Sequence, residues 1–309
     1  MSKLTDVIKP SLRYKLKTQV IPNFLPHLDV NKKYQAEIWD DKTYKVNPRD
    51  HIFTTIQEHF GNRLIQSLHL PPTAVVVDIG CFIGEKLWQL SKSQPYLGIG
   101  VDIAISSLQA AQKIDIYGHT FIAADMENLP FSNNSVDLVM VFDVIEHLTH
   151  AEKGFSEVTR VLKPGGQFLL HIPILDNTWS MFWWKQKLFP SLAQQDYANV
   201  GHATNRMLTS SQIKNQLNKN GLILNKEIYF NSFLVHFWDR EFLPLIARLL
   251  VGKRPRTQGI RATHMGQVGL MRNFYGKYIV PILEIMSRPD LLLSKLKIGN
   301  TYFVLATKL

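Results

Sequence analysis

Cysteine is all but absent: Cys81 is the only one, which excludes an internal disulfide and a cysteine-rich zinc centre. Long apolar runs are missing as well. No stretch reaches the roughly 18 uninterrupted apolar residues of a membrane-spanning helix. The first 17 residues lack the apolar core of a secretory signal, because lysines, Arg13 and Pro10 interrupt them. There is no internal repeat and no low-complexity tract. Together these absences predict a cytoplasmic protein. What remains is a chain of 309 residues, 45% hydrophobic and 19% charged, long enough to bury a sizeable core in one large domain with additions.

Acidic residues are scarce in particular places, and the net charge of +10 is correspondingly uneven. Residues 231–297 carry eleven basic and four acidic side chains, and residues 1–72 eleven and seven, whereas 73–230 carry twelve and fourteen. The basicity belongs to the additions. A basic patch favours anionic partners such as lipid headgroups, phosphorylated substrates or nucleic acid, or it merely aids solubility.

The periodicity divides the chain in the same way. Ile52–Leu70 has helical spacing and ends at Pro71-Pro72, so residues 1–72 are expected to form a helical cap. From Ala74 strands and helices alternate. Strands are expected at 74–79, 96–101, 120–124, 136–142 and 167–172, with helices at 85–92, 106–113 and 152–162 between them. A Pro164-Gly165-Gly166 turn is expected before the last of these strands. After Pro173 the rhythm stops for about 35 residues, then resumes with a helix at 210–220 and a strand at 222–230. Residues 231–297 read as an apolar, basic helical insertion, and 298–309 as the final core strand. The expected fold is α/β: a doubly wound, Rossmann-like, mostly parallel sheet whose last strand is antiparallel.

In such a sheet ligands bind beyond the carboxyl ends of the strands. Those ends read Asp78-Ile-Gly80, Asp102, Asp125-Met126 and Phe142-Asp143, and the first leads into Gly80-Cys-Phe-Ile-Gly84 and then a helix. Leu129-Pro130-Phe131, Val144-Ile145-Glu146-His147-Leu148 and Val161-Leu162-Lys163-Pro164-Gly165-Gly166 follow in order. In this order and spacing, from Val75 to about Ile228, the chain resembles class I S-adenosylmethionine-dependent methyltransferases of the small-molecule, type 11-like kind. A dinucleotide site fits worse, since it requires Gly-x-Gly-x-x-Gly and the turn offers Gly-x-x-x-Gly.

The resemblance implies that S-adenosyl-L-methionine is held by Asp78, Gly80, Cys81, Gly84, Asp102, Ile103, Asp125, Met126 and Phe142. Glycine lets a carboxylate approach backbone, and a helix N-terminus favours its charge. Asp102 is placed to accept from ribose hydroxyls, Asp125 from the adenine amino group, and Met126 to pack on the ring. Asp78 orients the turn. Two departures stand out. Phe82 replaces the usual middle glycine, so either it takes a strained positive φ or it points away over the cofactor. The 24 residues from Asp78 to Asp102 also exceed the usual reach of about 20.

His147 and His202 are the candidate bases, with Arg206 beside the acceptor, whereas His171 reads as a satisfied core residue. Trp179 and Trp183 belong to an aromatic cluster after the fifth strand. That cluster is either a lid over an apolar substrate or the packing face of an inserted helix. The apolar–basic stretch around 233–261 suits an interfacial helix, a dimer surface or a substrate lid. The expected activity is methyl transfer to a small, lipid-like or aromatic acceptor, with no metal. Two alternatives remain open: an RNA methyltransferase using the basic additions, and a non-catalytic scaffold of inherited fold.

Overall fold

The computed structural model describes residues 2–17, 21–26, 28–29, 32–33, 36–37, 55–199, 206–242, 245, 278–279, 281–282, 285 and 287–309. Its centre is a seven-stranded sheet of order β3-β2-β1-β4-β5-β7-β6. The strands are β1 Val75–Ile79, β2 Leu97–Asp102, β3 Thr120–Ala123, β4 Val136–Phe142, β5 Leu162–Pro173, β6 Leu222–Phe230 and β7 Thr301–Lys308. The first five are parallel, and β7 runs antiparallel between β5 and β6.

The helices are α1 Ser2–Val7, α2 Ile56–Gln66, α3 Glu85–Ser91, α4 Ile105–Ile114, α5 Ala151–Val161, α6 Met181–Leu188, α7 Pro190–Asn199, α8 Ser210–Lys219 and α9 Arg288–Ser294. Every residue of β1 is buried, because alternate side chains feed opposite faces of the sheet. Val75, Val77 and Ile79 join a cluster with Phe155 and Val158 of α5 and Ile213 and Leu217 of α8. Val76 points the other way, into a cluster with Ile65 of α2, Leu87 and Leu90 of α3, and Leu108 of α4. This two-sided burial is why the strand is a continuous apolar run that ends where Asp78 and Gly80 begin the site.

Three local expectations change. The Pro164-Gly165-Gly166 segment does not precede β5 but lies inside it. There the pairing with β4 jumps from Val136↔Leu162 to Leu138↔Gln167, and Gly165 takes φ 77°. The extra residues are absorbed as a bulge, for which a left-handed glycine is suited. The described part of residues 1–72 is also more than a helical cap. Asn23 bridges Ala123 in parallel, with Ala123 N–H donating to the Pro22 carbonyl (2.9 Å) and Phe24 N–H to the Ala123 carbonyl (2.7 Å). This covers the β3 edge, which would otherwise present unpaired backbone groups. The irregular stretch after β5 contains two helices, α6 and α7.

Two long-range carboxylates fasten the insertion. Asp239 accepts from Ile56 N–H (2.9 Å) and Gln57 N–H (3.0 Å), capping α2 alongside the Thr55 side chain. Asp290, fully buried, accepts from the consecutive backbone N–H groups of Ser232, Phe233, Leu234 and Val235. Backbone donors at a helix start carry partial positive charge, so both carboxylates are well placed. Burial pushes the Asp239 carboxyl up to about 7, even though these N–H groups favour its charged form.

Candidate active site

The sheet order reverses at β1, whose neighbours β2 and β4 lead away in opposite directions. This opens a crevice at the carboxyl ends. The turn after β1 lines it. Gly80, Phe82 and Gly84 have φ 71°, 50° and 82°. A Cβ on Gly80 would lie 2.2 Å from Val144 Cγ2, so only glycine fits there. Gly80 and Cys81 N–H both donate to the Val101 carbonyl, at 2.8 and 3.0 Å, tying the turn to β2. Phe82 therefore adopts the left-handed conformation of the glycine it replaces, at a cost of about 1–2 kcal/mol. Its half-buried ring packs against the cluster under α2–α4 and offsets part of that cost.

Asp102 joins two loops. Its Oδ2 accepts from Phe82 N–H (2.8 Å) and its Oδ1 from Ala104 N–H (3.0 Å). Each carboxylate oxygen has two lone pairs and can accept from more than one donor. Cys81 is buried, and burial, then the Asp102 and Asp78 charges, push its thiol up; it is not poised as a nucleophile.

Asp78 is buried beneath the turn, and its Oδ2 has no hydrogen-bond partner among the described residues. Desolvation pushes its carboxyl up to about 8, with Lys86 pulling it down and Asp102 and Glu85 pushing it further up. An unfilled acceptor beside a crowded glycine suits a ligand bearing cationic N–H donors, whose charge would draw the carboxyl back towards its ionised form. The residues present therefore fit the aminoacyl end of S-adenosylmethionine.

At the β3 end, Asp125 is buried and already engaged. Its Oδ2 accepts from Lys32 Nζ (2.7 Å) and its Oδ1 from Glu127 N–H (2.9 Å); Lys32 also reaches Glu127 Oε2 at 3.0 Å. Burial lowers the Lys32 pKa, but the hydrogen bonds to Asp125 and Glu127 outweigh it, so the net shift is upward. Met126 is buried next to Asp125 and packs near Gly154 of α5.

Around β4 and β5 a second group forms. Asp143, at φ 54°, places Oδ1 3.1 Å from His171 Nδ1. His171 is packed between Phe142 and Phe303, and its Nε2 has no partner among the described residues, so it is only half satisfied as a core residue. His147 lies in a 3₁₀ turn, Ile145–His147. Burial holds its pKa below the ordinary 6.5; Asp143 opposes this and Arg206 adds to it. His147, Asp143 and Arg206 are thus in one electrostatic neighbourhood. Lys86 Nζ lies over the Phe142 ring, 5.3 Å from its centroid.

Trp179, Trp183 and Trp184 pack on one another at centroid distances of 4.8–5.6 Å. Trp179 and Trp184 are exposed, while Trp183 is half-buried. His202 lies outside the described residues. Sequence reasoning places Asp143 at a strand end without giving it a role, and does not single out Lys32. Asp143 carries the same strand-end signal as Asp102 and Asp125, whereas Lys32 has no local signal at all.

Residues 77–170 match the family model described as a methyltransferase domain. The chain is 38% identical over 185 residues to the ubiquinone/menaquinone biosynthesis C-methyltransferase UbiE of Bartonella bacilliformis, covering 50% of this chain and 70% of that one. It is 28% identical over 172 residues to the malonyl-[acyl-carrier protein] O-methyltransferase of a Marinomonas species, covering 53% and 64%. Of UbiE from Brucella canis it spans 45%. Among solved structures, geranyl diphosphate C-methyltransferase from Streptomyces coelicolor superposes with TM-score 0.57 at 12% identity, over 92% of this chain and 100% of that one. That likeness is one of fold.

Proposed function

The chain belongs to the class I S-adenosylmethionine-dependent methyltransferases, and we propose that it methylates a small, apolar acceptor approached from the β4–β5 side of the crevice. The observation that carries this reading is the Asp102 carboxylate. It couples the β1 turn to the β2 end by accepting from Phe82 and Ala104 N–H, which puts a carboxylate at the crevice where the ribose of the cofactor would lie. In this reading Gly80, Cys81, Gly84 and Asp78 hold the aminoacyl part of the cofactor, Asp102 and Ile103 the ribose, Asp125 and Met126 the adenine, and Phe142 flanks the reacting end. When bound, S-adenosylmethionine supplies an electrophilic methyl group on a sulfonium.

The chain's own residues then align the acceptor, exclude water and accept a proton. Alignment of bound reactants supplies several kcal/mol. His147 Nδ1 or Nε2 takes the acceptor proton as general base, because its lowered pKa keeps the imidazole neutral near pH 7; such help is worth about 10²–10⁴-fold. Arg206 adds to the burial that lowers that pKa, and orients a polar end of the acceptor. Trp183, the half-buried member of the aromatic cluster, supplies aromatic surface for its apolar body. Relatives named for ubiquinone and menaquinone biosynthesis and for a malonyl-[acyl-carrier protein] support a small or carrier-borne acceptor.

Calorimetry tests the donor: S-adenosylmethionine binds the intact chain, and Asp102→Ala loses binding at least tenfold. Absence of binding by the intact chain overturns the reading. Radiolabelled cofactor with cell extract, partitioned into lipid and aqueous products, tests the acceptor; label confined to macromolecules refutes a small one.

A second reading concerns location. No helix among the described residues is long and apolar enough to cross a membrane. The basic excess of residues 231–297 supports peripheral contact with an anionic bilayer surface. Co-sedimentation with anionic vesicles tests it.

A further inference from the structure

The α6–α7 hairpin is built inside out. Its inward side is small: Phe182, Ala193 and Met207 form a separate buried cluster. Its outward side is large and apolar. Trp179 is 55% exposed, Leu188 64%, Phe189 56% and Leu192 51%, and Trp184 stands among them. A soluble surface rarely concentrates this much apolar area within fourteen consecutive residues, and a contiguous patch of this kind marks an interaction site. Trp179 holds its exposed position at φ 64°, a conformation costly for a bulky side chain.

The hairpin is anchored rather than loose. The Ser180 side chain accepts from Trp183 N–H, Met181 N–H donates to the Ser232 carbonyl (2.8 Å), and Lys185 pairs with Glu241 at 2.6 Å. Those bonds join it to the start of the insertion, where Phe233 and Phe237 are also exposed.

We propose that the outward face of α6–α7 is the surface by which this protein docks on an anionic lipid bilayer. The proposal rests on the membrane reading above and moves its contact from residues 231–297 alone to this hairpin. Three features select a bilayer over other occupants. Tryptophan is the side chain most suited to the water–lipid interface, having an apolar body and a polar N–H. Lys187 Nζ lies over Trp183, 5.7 Å from the ring centroid, so a cationic head sits directly on the aromatic surface of this face. No acidic residue occurs between Asp176 and Asp196; Lys185 is taken by Glu241, so the charge the hairpin offers an anionic headgroup is that of Lys187. The hairpin follows the carboxyl end of β5, the end of the sheet at which the crevice lies.

The test uses the full chain with vesicles of phosphatidylcholine, with or without phosphatidylglycerol, and with brominated acyl chains as quenchers. The expected results are binding that requires phosphatidylglycerol, quenching of tryptophan fluorescence, and loss of both by roughly tenfold or more in Leu188→Glu/Phe189→Glu. Both side chains are exposed, and an unchanged circular dichroism spectrum and thermal midpoint verify that the variant is folded. If the wild type binds and the double variant binds equally, the hairpin is not the docking face and only this proposal falls. Loss of binding in an Arg254→Glu/Arg256→Glu variant alone would then return the contact to the insertion. If the wild type binds no vesicle, both readings fall. A dimer in analytical ultracentrifugation that the double variant dissolves, without vesicle binding, overturns the proposal in favour of a second copy of the chain.

Discussion

Replacing Gly80 with alanine isolates the geometry of the crevice turn. Gly80 has φ 71°, and its missing Cβ would lie 2.2 Å from Val144 Cγ2. Two costs follow. The left-handed backbone costs alanine about 1–2 kcal/mol. The overlap costs about 1–3 kcal/mol, because Val144 is β-branched and has little rotamer freedom with which to retreat. Alanine's lower chain entropy when unfolded returns about 0.4–1 kcal/mol. Gly80→Ala is therefore expected to destabilise the protein by about 1–5 kcal/mol. Val144→Ala alone trims a half-buried side chain and costs about 1 kcal/mol. In the double variant the overlap vanishes while the backbone strain remains, so the two changes couple favourably by about 1–3 kcal/mol. Urea unfolding of the wild type and the three variants, compared at constant m-value, measures that coupling. If the effects add within about 0.5 kcal/mol, the contact between Gly80 and Val144 does not set the turn and the reasoning fails.

Three further predictions concern charge. Asp78 titrates at about 8 in the folded chain, above its ordinary 3.8, so between these values the folded state holds a proton that the unfolded state has released. Wild-type stability therefore falls as pH rises through that window. Asp78→Asn removes the slope and gains on the wild type by on the order of 3 kcal/mol from about pH 5 to about pH 8 in urea titrations; parallel pH profiles would contradict this. Asp290→Ala strips four backbone N–H groups of a buried acceptor and is expected to cost about 3 kcal/mol or more, read by thermal unfolding, with Asp290→Asn recovering part. With His147 as base, kcat/KM has an acid limb below 6.5, because burial and Arg206 lower its pKa. Arg206→Gln moves that limb upward, and a limb unmoved by that change argues against His147.

Much of the site was legible because its parts recur with the strand rhythm. Each parallel strand buried on both faces is an apolar run, and Asp78, Asp102, Asp125 and Asp143 are the first acidic residues at or next to the carboxyl ends of those runs. The rest has no local signal. Lys32 reaches Asp125 across 93 positions of sequence, and Asp239 caps α2 from 182 and 183 positions away. Neither pairing leaves a period or a motif in the chain. Phe82 illustrates the boundary most closely: its place in the turn is plain from its neighbours, but two orientations were open to it.

The sequence by itself therefore determined the order of the elements, the parallel character of the sheet's first five strands and the acidic residues at their carboxyl ends. Those properties follow from local burial and turn chemistry. Only the tertiary structure decided that β7 inserts between β5 and β6, that Phe82 takes a left-handed backbone, that Asp125 is ion-paired, and that Trp179 and Trp184 are exposed. Each of these depends on which distant segment fills a given space, and that is a property of the packed chain and not of any window along it.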